Sequence, residues 1–345
     1  MTRRETIKRA LAFQPTPSVP YNLDFTRAAR EKLKEHFKTD DLDEAIGNYF
    51  LQINVSSNAG AEVNRVAAGL METLGRDRFR DEFGVVWDKS AGDDIGVPEN
   101  KIIPLPDIAR LAAPDPLDPR RWAGFEQVAV TKGDRYVLAV FSSPLFQRCW
   151  FLCGMAEFLI YLASEPEFVE ALLDRLKVFS IAIAKECARL GADGLMFYDD
   201  YGQQSGTLFS PRMFRRFFKA RLAEIFAAAR AEGLDVFLHS CGDVRAILED
   251  IREAGAQAFN PFQPEVMDAR EVAEQFRGRL AFYGGVSTQR TLPFGTPDDV
   301  RREVRERLAL FKDQGGYILA PAHAIQRDVP LENILAFLDA ARGAD

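Results

Sequence analysis

The sequence predicts a single α/β domain over residues 1–345, built as a (β/α)8 TIM-type barrel with an elaborated N-terminal region. Two observations carry this. From Tyr136 onward, short apolar runs alternate with helical patterns, and the runs are apolar on both faces, as in a parallel sheet covered by helices. Polar and titratable residues then recur just after those runs, at Asp199, His239, Asn260, Gln289 and His323, where the strand ends of a barrel open on one face. No early Gly-x-Gly-x-x-Gly or Walker-type sequence marks a nucleotide fold. An open doubly wound sheet is the alternative architecture.

In chain order, residues 2–12 read as a helix with Thr2 as N-cap and Ile7, Ala10 and Leu11 on its apolar side. Pro15, Pro17 and Pro20 stop it. Residues 19–25 read as a first strand bearing Asn22 and Asp24, and a charged helix covers 26–37. Glycines at 60, 69, 75 and 84 favour turns, residues 81–87 suit a strand pair or a loop over a site, and one further barrel strand is hidden in this irregular region. A proline-rich connection covers 98–119. Strands follow at 136–141, 195–198, 236–238, 256–259, 280–283 and 317–319. The helices between them cover 151–162, 166–190, 211–232, 244–254, 269–276 and 297–312. The helix at 211–232 has a proline in its first turn and an apolar face of Phe214, Phe217, Phe218 and Leu222.

The net charge of -7 argues against a broad nucleic-acid surface. No apolar stretch is long enough to span a membrane, and no secretory apolar core follows Met1, so a cytoplasmic protein is expected. Four cysteines are too few for a disulfide scaffold, so free thiols are expected, with Cys149 and Cys153 on one packed helical face. Either a monomer or a homodimer is compatible with this composition.

The chain has three histidines. His36 lies among charged residues and reads as solvated. His239 and His323 each end an apolar run, and Cys241 follows His239 by two residues. Brought together at one barrel face, His239, Cys241 and His323 would give zinc three ligands and leave a fourth position open, as catalytic sites do. The alternative is two packed histidines and an inert buried thiol. The adjacent carboxylates of Asp199 and Asp200, with His239, are the candidate catalytic groups. In a dry pocket one carboxylate is held neutral or paired, unless both merely satisfy turn backbone. Asn22, Tyr201, Gln203, Gln204, Asn260, Gln263, Gln289 and Arg290 are the candidate substrate-binding residues, Arg290 for an anionic group.

Phe197-Tyr198-Asp199-Asp200-Tyr201-Gly202-Gln203-Gln204, Leu238-His239-Ser240-Cys241-Gly242, Asn260-Pro261-Phe262-Gln263-Pro264 and Gly284-Gly285-Val286-Ser287-Thr288-Gln289, in this order, resemble the uroporphyrinogen decarboxylase superfamily. The resemblance implies one (β/α)8 barrel and one of two chemistries. Metal-free decarboxylases of the superfamily carry an N-terminal Arg-containing signature, and residues 21–27, Tyr-Asn-Leu-Asp-Phe-Thr-Arg, lack it. In the other branch a His-x-Cys pair and a later Cys hold zinc. His239 and Cys241 match the pair, and His323 stands where the pattern has Cys. The resemblance therefore implies zinc-dependent methyl transfer between a corrinoid, on a carrier protein or as a free cobamide, and a small thiol, folate or methylated substrate. Decarboxylation of an acidic substrate is the alternative, and a non-catalytic corrinoid- or tetrapyrrole-binding module the third reading.

Overall fold

The computed structural model describes residues 1–57, 65–90, 96–311 and 315–343. Seven strands form one parallel sheet in chain order: β1 Phe50–Asn54, β2 Tyr136–Ser142, β3 Gly194–Tyr198, β4 Asp235–His239, β5 Ala258–Phe262, β6 Ala281–Val286 and β7 Tyr317–Pro321. Helix-containing connections join consecutive strands, so all seven C-terminal ends open on the same side. Side chains alternate between two buried environments. Leu138, Val140, Met196, Phe237, Ala281 and Ile318 meet in an inner cluster, while Val137, Ala139, Leu195, Phe197, Val236 and Leu238 pack outward against the helices. Burial on both faces is why these strands read as unbroken apolar runs.

The N-terminal helix Arg3–Leu11 occupies the other end of the sheet. Thr2 Oγ1 accepts the Glu5 N–H, and the Glu5 carboxylate accepts the Thr2 N–H, a reciprocal capping box. Ile7 and Leu11 join the inner cluster. Lys8 and Arg4 reach Asp235 (2.7 Å) and Asp193 (2.6 Å), at or just before the starts of β4 and β3. With that end covered, the strands' C-terminal ends are left for chemistry.

The hidden strand is β1. The expected strand at 19–25 is instead an extended segment with isolated parallel bridges, Tyr21 to Leu319 and Phe25 to Ile325. The reason lies in Asn48, whose amide takes both backbone groups of Leu23 at 2.9 Å and so replaces a ladder partner. The Asn22 N–H still donates to Leu319 O (3.0 Å) and the Tyr49 N–H to Tyr21 O (3.2 Å), which sets the segment between β7 and β1. The expected strand at 256–259 begins later and runs through Asn260 and Pro261. A register shift between Phe259 and Phe262 accommodates a residue with no N–H to donate. The helix expected at 151–162 is two, Phe146–Cys153 and Met155–Ser164, broken at Gly154. Gly60 and Lys312, assigned above to a turn and to a helix end, lie outside the described residues. No helix among the described residues is long and apolar enough to cross a membrane.

In a small antiparallel sheet (Glu72–Thr73, Arg78–Arg80, Val86–Asp88, Val97–Pro98), the stretch 81–87, expected as a strand pair or a loop over a site, is the turn joining Arg78–Arg80 to Val86–Asp88 together with the first two residues of the latter strand. Its turn is pinned by a buried carboxylate. Asp81 accepts the N–H groups of Phe83 and Val85, the Trp87 indole N–H (3.2 Å) and the Arg148 guanidinium (2.7 Å). Trp87 thereby becomes part of the cavity wall described next.

Candidate metal centre

β4 ends on His239, and parallel pairing sets Tyr198 of β3 beside it. The two rings stack with centroids 4.0 Å apart. Asn260 on β5 donates through Nδ2 to Tyr283 O (3.0 Å), which turns its Oδ1 toward His239 Nδ1. An acceptor at that position requires the hydrogen on Nδ1 and leaves the Nε2 lone pair free. Nε2 lies 3.3 Å from Cys241 Sγ. His323, released from the end of β7, completes a cluster in which one donor atom from each of His239, Cys241 and His323 lies within 4.8 Å of the others.

The turn carrying Cys241 is held from several sides. Gly242 has φ 85°, and a Cβ there would stand 2.4 Å from Gln203 N. Its N–H donates to Gln263 Oε1 (3.1 Å), and the Cys241 N–H donates to Asp200 Oδ1 (2.8 Å). Burial lowers the His239 pKa to about 4 against the opposing pull of Asp200, and burial together with Asp200 pushes the Cys241 thiol well above its ordinary value. The unliganded cluster is thus a neutral imidazole beside a protonated thiol, and a bound dication would reverse the thiol's preference. The donor set fits zinc. Bonds of about 2.0–2.3 Å in a tetrahedron put ligand atoms roughly 3.3–3.8 Å apart, the range of the Nε2 to Sγ spacing.

The cluster borders a cavity of about 730 Å³, within the range of small-molecule sites. Of the residues singled out from sequence, Asn22, Asp200, His239, Asn260 and His323 line it. Asp199 does not. It is fully buried and accepts the N–H groups of Phe146 (2.8 Å) and Gln147 (2.7 Å) and the Tyr201 hydroxyl (2.7 Å), so it holds the first turn of helix Phe146–Cys153. Tyr201 serves that same cap. Gln263 holds the Gly242 turn from outside the lining. Gln203 and Gln204 are exposed on the hairpin Gly202–Thr207, and exposed Gln289 and Arg290 bond to Glu265 and Pro264 O.

Asp24, Gln52, Gln147, Tyr198 and Tyr283, none of them a site candidate by sequence, also line the cavity. Asp24 accepts from Asn22 Nδ2 (3.0 Å), Gln52 Nε2 (2.9 Å) and Tyr283 Oη (3.0 Å), and deep burial raises its carboxyl. Tyr198 and Tyr283 sat at the expected ends of strands, a signal that could have marked them. Gln147 had none.

Two expected results follow from these contacts. Asn260→Ala frees the His239 tautomer and should weaken zinc binding about 10- to 100-fold in competition with a chromophoric chelator; unaltered affinity would mean that Asn260 does not orient the ring. Asp199 has its carboxyl pushed up to about 7 by burial, against its three donors. The folded chain therefore holds this proton more tightly than the unfolded chain, where aspartate titrates near about 3.9. Its contribution to stability falls as pH rises from about 4 to 7 and is flat above that. The stability difference between wild type and Asp199→Asn in urea unfolding should follow this profile, and a pH-independent difference would show the carboxylate ionised throughout.

The model of the uroporphyrinogen decarboxylase (URO-D) family matches residues 83–344. Among curated proteins, the chain is similar to the methylcobamide:CoM methyltransferase MtaA of Methanosarcina barkeri, 30% identical over 190 residues, covering 55% of this chain and 53% of that protein. It is also similar to the uroporphyrinogen decarboxylase of Edwardsiella ictaluri, 26% identical over 250 residues, covering 68% and 67%. The chain thus spans about half the length of the first of these relatives. Among solved structures, a methyltransferase from Methanosarcina mazei superposes with a TM-score of 0.78 at 21% identity, covering 100% of this chain and 99% of that one, a likeness of fold. With the family match running over β2 to β7 and over both segments that supply the metal-binding candidates, the chain belongs to the uroporphyrinogen decarboxylase family.

Proposed function

We propose that His239, Cys241 and His323 hold a zinc ion and that the protein transfers a methyl group between a corrinoid and a small thiol, folate or methylated substrate. The corrinoid is carried by a partner protein or used as a free cobamide. The observation that carries this reading is the convergence of three donors from two separate strand ends beside one cavity. The name of the MtaA relatives, methylcobamide:CoM methyltransferase, supports it.

When bound, the ion supplies Lewis acidity that lowers the pKa of a thiol or water at its open position. The remaining roles belong to the chain. Asn260 orients His239 so that Nε2 faces the cluster, the Tyr198 ring fixes the plane of the imidazole, and the Gly242 turn holds Cys241 in place. Asp24, backed by Gln52 and Tyr283, offers an acceptor for a polar group of the substrate inside the cavity.

Decarboxylation of an acidic substrate is the second reading, supported by the names of other relatives. It calls for cations free to meet carboxylates. Of the cavity-lining cations, Arg30, Arg135 and Lys34 are instead paired with Asp43 (3.0 Å), Asp41 (3.3 Å) and Glu31 (3.7 Å), which leaves Arg27 as the one without an ion pair among the described residues. We also read the sheet as a closed eight-stranded barrel, with residues 20–23 as the eighth staple between β7 and β1, in a single domain over residues 1–345. Free cysteines suit a reducing compartment, and we place the protein in the cytoplasm.

Elemental analysis of protein purified without added metal tests the leading reading. About one zinc per chain is expected from a three-donor site with an open fourth position. A protein that neither contains zinc nor takes it up on addition would sink the proposal. Incubation with uroporphyrinogen should yield no coproporphyrin.

A further inference from the structure

The geometry points to Asp200 as a fourth, displaceable ligand of the metal centre, an inference that rests on the zinc reading above. His239 and His323 are neutral ligands, so Cys241 alone would bring negative charge to a dication in a buried site. One uncompensated charge there is costly. Asp200 stands ready to supply the second. Its Oδ1 lies 3.7 Å from His239 Nε2, the lone-pair nitrogen that faces the cluster. Nitrogen and oxygen atoms that share a tetrahedral zinc are roughly 3.3 Å apart, and Asp200 stands just outside the 4.8 Å cluster of the three donors, so ligation requires its side chain to rotate toward them.

Topology puts the carboxylate there. Tyr198 pairs with His239 in the β3 to β4 ladder, and continuing that register sets Asp200 beside Cys241. The Cys241 N–H (2.8 Å, to Oδ1) and Gln147 Nε2 (3.0 Å, to Oδ2) aim the carboxylate without neutralising it. Among the described residues, no Lys or Arg lies within salt-bridge distance of it, and its His239 neighbour is a neutral imidazole. The adjacent carboxylates have divided their work. Asp199 is closed away in a helix cap, whereas the Asp200 side chain keeps 35% of its surface accessible and lines the cavity. That opening lets an incoming thiol or water take the position Asp200 holds in the resting site.

Cobalt(II) substitution and zinc competition test this on the full chain. Wild type loaded with Co²⁺ should show the strong visible bands of a four-coordinate site together with near-ultraviolet thiolate absorption from Cys241. Asp200→Ala and the near-isosteric Asp200→Asn should each bind zinc at least about tenfold more weakly. Both should alter the visible bands while keeping the thiolate absorption. A small thiol added in excess should bring wild type and both variants to one common spectrum. Variants with wild-type affinity and visible bands would overturn the inference. Weaker binding with unaltered bands would also overturn it, since Asp200 would then be a positioning residue acting through the Cys241 N–H. A wild type that takes up neither Co²⁺ nor Zn²⁺ would instead overturn the metal centre itself.

Discussion

Replacing Cys241 with alanine should remove zinc and methyl transfer together. Its Sγ is the only sulfur in the donor cluster and lies 3.3 Å from His239 Nε2. Loss of a direct ligand should exceed the 10- to 100-fold effect of a supporting residue, so affinity should fall by more than about 10²-fold and the purified variant should hold little zinc. The fold should survive, because the turn is carried by backbone bonds to Asp200 and Gln263 that the side chain does not make. Elemental analysis, circular dichroism and a methyl-transfer assay separate these effects. A folded Cys241→Ala protein with one zinc per chain would refute the assignment. A second readout uses the thiol itself. Burial and Asp200 hold it well above its ordinary pKa in the apoprotein, so alkylation of Cys241 should be slow there.

The second large effect is on stability. Arg121 and Glu82 form a buried ion pair, with the arginine side chain fully inaccessible. Arg121 Nη1 also donates to Val55 O (2.8 Å), and its guanidinium lies 5.3 Å from the Phe179 ring centre. Arg121→Ala strands the Glu82 carboxylate with Ser57 as its remaining hydrogen-bond donor among the described residues. Removing one member of such a pair costs about 3–5 kcal/mol, a large share of a typical total of about 5–15 kcal/mol. Urea unfolding should show the loss, and Arg121→Met with Glu82→Gln should recover much of it, because the buried charge is then gone from both sides. A loss under about 1 kcal/mol would mean that water reaches the pair. The surviving folded fraction should also bind ligand less well. Glu82 adjoins Asp81, which holds both Arg148 and the indole of Trp87 at the cavity wall.

Much of the site was legible because its signals are local. A histidine or cysteine at the end of an apolar run lies at a strand end whatever the exact packing, and the scarcity of histidine made His239 and His323 conspicuous. What escaped depends on side-chain direction. Asp199 and Asp200 are neighbours, so an extended backbone sends them opposite ways, and only the ladder between β3 and β4 decides which one meets the cavity. Gln263 and Tyr201, substrate-binding candidates by sequence, instead support the turn and the cap. Gln147 reaches the cavity because its helix is pinned by Asp199, a contact over 52 residues with no local trace.

By itself, then, the sequence determined the succession of parallel strands and helices and the identity of the three metal-binding candidates, because apolar periodicity and residue chemistry are properties of short segments. Tertiary structure alone decided that an asparagine side chain interrupts the expected first strand, that Asn260 sets the His239 tautomer, and that Asp200 rather than Asp199 faces the cluster. Each of these turns on hydrogen bonds between residues about 21 to 53 positions apart, whose partners are chosen by strand register and packing rather than by neighbours in the chain.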